Sequence, residues 1–295
     1  MYGFKATDAN LKCQNFQFKL NETFYHRGAI EICNSGFHFC EKLIDVHNYY
    51  SFEHNNRFFI VKSGDKYETQ ENKSVTNEIT LLKEITSDNL ISLVESNEYR
   101  DLLNKNIDGL FALTIRFKNK DLLKTIKYLH ENGADITADN NYAIEWTSRN
   151  GHLEVVKYLH ENGADITENK YAIDWASHNG HLEVVKYLHA NGAVISVIKW
   201  ACINGHLDVV KYLHIHGADI AAGNNHAIRW ASRNGHLETV KYLHENGADI
   251  KAENNYAIKC ASRNGHLEIV KYLHTNGADI TADDYAIKQQ VKLDI

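Results

Sequence analysis

Apolar positions in the last two thirds of the chain repeat with the period of a helix. Val155, Val156 and Leu159 fall on one stripe, and polar residues occupy the other positions of that segment. Residues 153–161 are therefore predicted to form an amphipathic helix. A shorter helix is predicted over residues 142–149, and an Asn-Gly pair would end it because glycine readily adopts the left-handed conformation. The pattern predicts a pair of antiparallel helices.

This helix pair recurs along the chain. The tetrapeptide Gly-Ala-Asp-Ile or a variant begins at Gly133, Gly163, Gly192, Gly217, Gly247 and Gly277. The spacing is 30 residues, apart from one unit of 29 and one of 25 that lacks residues near 194–197. One pair cannot bury its apolar stripe alone, so neighbouring pairs must stack. We predict a mainly α protein in which residues 105–295 form a solenoid of about six helix pairs and a C-terminal partial unit.

The repeated unit resembles the ankyrin repeat. Asn150-Gly-His-Leu-Glu-Val-Val-Lys-Tyr-Leu-His-Glu-Asn-Gly-Ala-Asp-Ile is similar to the second helix of that family with its flanking turns. Two features differ: Tyr142-Ala-Ile-Glu replaces the usual Thr-Pro-Leu-His, and the loop between units is shorter. The resemblance therefore implies a short β-hairpin finger and binding through the helical groove. Proline-free units of 30 residues are similar to the ankyrin families of giant DNA viruses that infect amoebae.

The N-terminal region carries no repeat. Alternation over residues 15–20, an apolar run from residue 57 and the segment 74–85 predict three strands, and residues 41–50 predict a helix. We predict a small α+β domain over residues 1–90, then a helical connector over residues 91–104 that caps the solenoid. The segment Cys33-Asn-Ser-Gly-Phe-His-Phe-Cys40 and its surroundings resemble a domain of unknown function in phage and virus proteins, which implies no activity.

Composition narrows the class of protein. Of 295 residues, 24% are charged and 43% hydrophobic, and the net charge of −6 disfavours both wholesale disorder and a broad nucleic-acid-binding face. No apolar run is long enough to span a membrane, and the first residues do not resemble a signal peptide. Five cysteines, an odd number, favour free thiols in a reducing compartment. We expect a monomeric cytoplasmic protein, in the host cytoplasm if viral, that binds neither nucleic acid nor membranes.

Cys13, Cys33, His38 and Cys40 form the strongest candidate for metal or nucleophilic chemistry. Thiolates and imidazole suit Zn²⁺, but the segment has no Cys-x-x-Cys spacing, and buried core thiols are the favoured alternative. Nothing near Cys40 and His38 marks an orienting acid or an oxyanion site. We therefore predict no catalytic residue, no metal and no cofactor.

Histidines form two ladders. One follows the glycine between the two helices and is expected to hydrogen-bond the neighbouring turn: His152, His181, His206, His236 and His266. The other lies at the end of the second helix, where imidazoles interact with the last carbonyl groups: His130, His160, His189, His214, His244 and His274. A scaffold role is favoured over pH sensing for both ladders.

Tryptophans occupy one equivalent first-helix position in four successive units, before Cys260 and Gln289 replace them: Trp146, Trp175, Trp200 and Trp230. In ankyrin-like folds this position borders the concave groove, where aromatic side chains would anchor a partner. The alternative is that the rings fill the seam between repeats. The residues directly before this position change from acidic to basic along the chain: Glu145, Asp174, Lys199, Arg229, Lys259 and Lys288. Such an order of charges would fix the orientation of a bound partner. Random sequence drift explains the order equally well.

The sequence favours a non-enzymatic scaffold or adaptor that binds a protein partner in the solenoid groove, and the resemblance to viral ankyrin families implies a host protein as that partner. The alternative is an enzyme or nucleotide-binding activity in the N-terminal domain, with the repeats as a targeting arm. That alternative requires a cleft that contains His38 and a carboxylate with a shifted pKa. A ubiquitin-ligase adaptor would need a recruitment box after the repeats, and residues 285–295 are too short for one.

Overall fold

A computed structural model describes residues 1–14, 16–32, 35–50, 55–116, 121–167, 170–195 and 198–282. The chain divides into two compact units, Met1–Ala138 and Asp139–Ile295. The domain boundaries predicted after residues 90 and 104 were placed where the repeat motifs begin, whereas the two units are defined by contacts. Those boundaries stay a prediction.

The first unit contains three antiparallel sheets. The four-stranded sheet has the order β1-β6-β9-β4, the three-stranded sheet has the order β5-β8-β7, and β2 pairs with β3. The strands are β1 (Tyr2–Thr7), β2 (Lys12–Cys13), β3 (Phe16–Gln17), β4 (Thr23–Tyr25), β5 (Phe37–Phe39), β6 (Arg57–Ser63), β7 (Tyr67–Gln70), β8 (Lys73–Thr76) and β9 (Glu78–Ile85). Between the sheets lies a core of Phe18, Phe37, Phe39, Phe59, Val61, Ile79 and Leu81.

Three predicted elements of this unit need correction. The strand expected over residues 74–85 is two strands in different sheets, because Thr76 accepts a hydrogen bond from the Glu78 N–H (3.2 Å) and turns the chain. The strand expected over residues 15–20 reduces to β3, and Asn15 lies outside the described residues. The helix expected over residues 41–50 is a single turn, α1 (Leu43–Val46). The apolar run from Arg57 is confirmed as the buried strand β6.

Helices follow the sheets. Residues 90–104 contain α2 (Leu90–Glu95) and α3 (Arg100–Asn104), and the first helix pair follows as α4 (Ile107–Thr114) and α5 (Leu122–Glu131). That the segment acts as a connector capping a solenoid stays a prediction. Asn106 joins this pair to the sheet region, since its side-chain oxygen accepts the Leu43 N–H at 2.9 Å.

The second unit consists of helix pairs, as predicted. Its helices are α6 (Ala138–Arg149), α7 (Leu153–Glu161), α8 (Lys170–His178), α9 (Leu182–Ala190), α10 (Lys199–Asn204), α11 (Leu207–Ile215), α12 (Ala222–Asn234), α13 (Leu237–Glu245), α14 (Ala252–Arg263) and α15 (Leu267–Thr275). First helices pack on first helices from α8 to α14, and second helices pack on second helices from α7 to α15. The predicted stripe is the packed surface: Val155, Val156 and Leu159 are at most 4% exposed.

The loops between these pairs correct the expectation of a short hairpin. In the described parts of residues 139–282 no strand forms. In four of these loops an Asp side chain instead accepts a backbone N–H two residues later, as Asp249 does from Lys251 at 2.8 Å. The short unit has Val194 at that position. At the start of α12, Gly223–Asn225 then form a left-handed turn, with φ of +59°, +56° and +61°.

Candidate functional site

The tryptophans lie at the margin of the first-helix row. On α6, Ile144 and Thr147 are fully buried, whereas Glu145 and Trp146 between them are half-buried. The same partial burial holds for the other members of the predicted site: Trp175, Trp200, Trp230, Asp174, Lys199, Arg229 and Lys259. Cys260 is buried, and Lys288 and Gln289 lie outside the described residues. The rings are thus neither wholly in the core nor wholly in solvent.

Trp175 is held by the preceding repeat. The Arg149 guanidinium lies 4.4 Å from the Trp175 ring centre, and the indole N–H donates a hydrogen bond to the Glu145 carboxylate. Burial raises the pKa of Glu145 above its usual range, while the Trp175 hydrogen bond and Arg149 oppose that shift. On its own helix, Trp175 stacks with the His178 ring at 5.3 Å. The ring is therefore fixed before any partner arrives.

A small cavity lies between Trp175 and Trp200. Its volume is about 160 Å³, and its lining is completed by Tyr171, Asp174 and His178. The His178 ring lies 5.9 Å from the Trp200 ring, so one imidazole contacts both indoles. We call this cavity the tryptophan slot. It is large enough for one amino-acid side chain.

Basic side chains lie against aromatic rings beside the tryptophan slot and in the repeats after it. The Lys199 ammonium lies 4.7 Å from the ring centre of Trp200, the residue that follows it. Further along, Arg233 lies 5.0 Å from the Trp230 ring and Arg229 lies 4.4 Å from the Tyr256 ring. A cation over an aromatic face is attracted to it by the ring quadrupole.

The first histidine ladder connects adjacent turns, as predicted. His181 donates from Nε2 to the Arg149 carbonyl at 3.1 Å, and His236 donates to the Ile203 carbonyl at 2.9 Å. Gly151 has φ of +74°, and a Cβ there would lie 2.5 Å from the His181 ring, so glycine serves both the turn and the close approach. Burial lowers the pKa of His181, which favours the neutral ring.

The second histidine ladder has a different partner from the one expected. In four members Nδ1 meets a tyrosine hydroxyl of the next repeat: His160 with Tyr187, His189 with Tyr212, His214 with Tyr242 and His244 with Tyr272, at 2.8–2.9 Å. The last member, His274, instead contacts the carbonyl of Ala278 at 3.4 Å. These tyrosines were not predicted, although the constant Tyr-Leu-His spacing was a signal for them.

Comparison with protein families agrees with this geometry. The model for ankyrin repeats (3 copies) matches residues 113–199 and 198–284, more than half of the chain. The chain belongs to the ankyrin-repeat family. Ankyrin repeats generally mediate protein–protein interactions, and proteins built from them are typically non-enzymatic.

The N-terminal part of this ankyrin-repeat protein matches a second model, a domain of unknown function (DUF7666), over residues 1–93. The search of curated proteins returned no match. Among the described helices, none is both long and apolar enough to cross a membrane. The predicted link to viruses and phage stays a prediction.

The N-terminal domain contains a larger cavity, of about 540 Å³, which includes His38, Cys13 and Cys40 in its lining. Burial, with Lys73 and Lys5 nearby, lowers the pKa of His38 to about 4, and burial raises the pKa of the Cys40 thiol to about 12. Cys33 lies outside the described residues, which contain no group of three potential metal ligands.

The enzymatic alternative requires a cleft that contains both His38 and a carboxylate with a shifted pKa. This cavity contains His38, but no Asp or Glu is among its described lining residues.

Proposed function

We propose that this ankyrin-repeat protein is a scaffold or adaptor whose stacked helix pairs form a solenoid and bind a protein partner in its concave groove. The tryptophan slot is the observation that supports this assignment most strongly. Its two indoles are fixed by Arg149 and His178 but keep part of their surface in water. Aromatic side chains that are already ordered lose little entropy when a partner covers them, which is why they dominate binding energy.

The charges beside the rings would orient the partner. Glu145 and Asp174 precede the first two tryptophans, whereas Lys199, Arg229 and Lys259 follow along the chain. A partner with a basic segment toward the first repeats and an acidic segment toward the last would match this order. The resemblance to viral ankyrin families extends the proposal to a host partner in the cytoplasm, with the scaffold acting as a monomer.

Affinity capture with the full chain would identify the partner, and two substitutions would then test the slot. We expect Trp175→Ala and Trp200→Ala to weaken binding by about thirtyfold, or about 2 kcal/mol, because both remove a central ring. Cys260→Ala, at the equivalent position of a later repeat, is the matched control and should bind as the parent does.

Melting temperature separates binding from packing. Loss of affinity with a nearly unchanged melting temperature would support binding of the partner in the groove. Unchanged affinity in both tryptophan variants, combined with the loss of about 3–5 kcal/mol expected for a core aromatic, would contradict it.

A further inference from the structure

Lys5 is a buried lysine in the aromatic core of the N-terminal domain. It lies within β1 directly opposite Phe59 of β6, and side chains of directly paired residues point to the same face of a sheet. Phe59 belongs to the core cluster, so the Lys5 side chain enters that cluster too. Only 5% of Lys5 is exposed.

The ammonium group of Lys5 has few partners. It donates to the His38 carbonyl at 2.7 Å and to the Cys13 sulfur at 3.6 Å, and it lies 5.1 Å from the Phe18 ring centre. A lysine ammonium has three hydrogens to donate. Within the described part of the chain, no carboxylate forms a salt bridge with it.

A buried cation without a carboxylate costs free energy, because the protein interior replaces water poorly around a charge. The pKa of Lys5 is lowered accordingly, chiefly by burial, while Cys13 opposes the shift. A methionine or leucine at this position would avoid the cost. An anion that enters from outside would also remove it.

The cavity described above gives an anion access to Lys5. Lys5 is part of its lining, together with Arg27 and Lys73, and its described lining includes no acidic residue. Aromatic rings form much of the remaining wall, among them Phe16, Phe37 and Tyr50. Its volume of about 540 Å³ lies within the ordinary range for small-molecule sites.

We propose that this cavity binds a small aromatic carboxylate, with the carboxylate against the Lys5 ammonium and the ring between the aromatic walls. Lys5 is the buried cation of this lining, whereas Arg27 is exposed and Lys73 is half-buried. One negative charge therefore matches the buried charge, and the aromatic walls favour an organic ring over inorganic phosphate. The His38 ring does not add a second buried charge, because its pKa of about 4 leaves it neutral near pH 7.

Calorimetry on the full chain with 2-naphthoate would test the site. We expect saturable one-to-one binding, with 2-naphthylmethanol at least about tenfold weaker because it keeps the ring system and lacks the charge. Acetate has the charge without the ring, and inorganic phosphate has a different charge and no ring. Neither should compete at the naphthoate concentrations used. Equal affinity for the acid and the alcohol would overturn the proposal, as would absence of saturable naphthoate binding.

Variants would assign the preference to Lys5. Lys5→Met should abolish the preference for acid over alcohol, and Lys5→Gln should do the same while it retains a donor for the His38 carbonyl. Lys62→Met, an exposed lysine on β6, is the matched control and should bind as the parent does. An unchanged preference in a folded Lys5 variant would contradict the assignment. Trp175→Ala should leave naphthoate binding intact, so this proposal and the proposed partner binding can fail independently.

Discussion

At the scale of single residues, one asparagine in each of three repeats combines two roles. Asn225 has φ of +61°, and its side-chain oxygen accepts the Asp249 N–H of the next repeat at 2.8 Å. Asn255 binds the Asp279 N–H at 2.9 Å in the same way, and Asn141 binds the Asp165 N–H at 3.0 Å. Asparagine tolerates the left-handed region better than other side chains do. This explains the recurrent Asn-Asn before the first helix.

Two substitutions at Asn225 would separate these roles. Asn225→Gly removes the hydrogen bond but keeps the backbone conformation accessible, whereas Asn225→Ala removes the bond and adds left-handed strain. We expect alanine to lower the free energy of unfolding by about 1 kcal/mol more than glycine does. Urea unfolding of the two variants beside the parent measures the difference. If alanine proved as stable as glycine, the backbone strain assigned to this position would be wrong.

His38 should make the N-terminal domain sensitive to acid. Its folded pKa is lowered to about 4, mainly by burial and then by Lys73 and Lys5. The unfolded chain, with a histidine pKa near ~6.5, therefore binds more protons between these two values. Stability contributed by the neutral ring is complete above about pH 6.5 and is lost as the pH falls through about 4.

Hydrogen exchange of β6 peptides in increasing urea would measure this effect in the N-terminal domain alone. Between about pH 7 and about pH 4.5, the parent should lose more protection than His38→Gln, whose side chain does not titrate. Parallel losses in both proteins would show that other groups cause the acid sensitivity.

At the scale of elements, the second helices are joined by their His–Tyr pairs. His189 Nδ1 and the Tyr212 hydroxyl are 2.9 Å apart, and their rings meet edge to face at 5.8 Å. Tyr212→Phe keeps the ring contact and removes the hydroxyl. We expect it to cost about 1 kcal/mol of unfolding free energy, the usual net value of one hydrogen bond. Thermal or urea unfolding measures this cost, and Tyr67→Phe, on β7 of the N-terminal domain, is the control. If Tyr212→Phe left the free energy of unfolding unchanged, the ring contact alone would join these helices.

The helical period of apolar residues was sufficient to predict the second helices of the repeats and the side on which they are buried. The stripe through Val155, Val156 and Leu159 lies in the packed surface because a helix places those positions together whatever its neighbours are. The division of residues 74–85 was not predictable in this way. It depends on a side-chain bond at Thr76 and on which sheet each half joins, and alternation encodes neither.

For the candidate site, the sequence predicted which residues share a position but not which contacts they make. The repeat register placed Trp175 and Trp200 at one helical position, and the structure brings both beside His178. Their ring contacts depend on rotamers and on residues of the adjacent repeat, such as Arg149. Lys5 gave no sequence signal, because its burial results from strand pairing between distant segments.

At the scale of the whole repeat array, stability is expected to vary with unit length. Repeat proteins approximate a sum of unit and nearest-neighbour interface energies, so a unit with less packed surface opens more easily. The short unit has a first helix of only 6 residues, α10, whereas α12 in the next unit spans 13 residues and contains the left-handed turn Gly223–Asn225. Residues 196–197 lie outside the described residues.

We therefore expect amides of residues 190–205 to exchange faster with solvent than those of residues 235–275, in hydrogen exchange of the native full chain. Within the later segment, residues 245–265 cover the corresponding loop and first helix, α14, and are the internal control for solvent effects. Insertion of a five-residue segment copied from residues 221–225 directly after Ile195 should slow exchange in the short unit by restoring the missing turn. Uniform protection across both segments in the parent would show that the neighbouring interfaces, and not unit length, determine where this array opens.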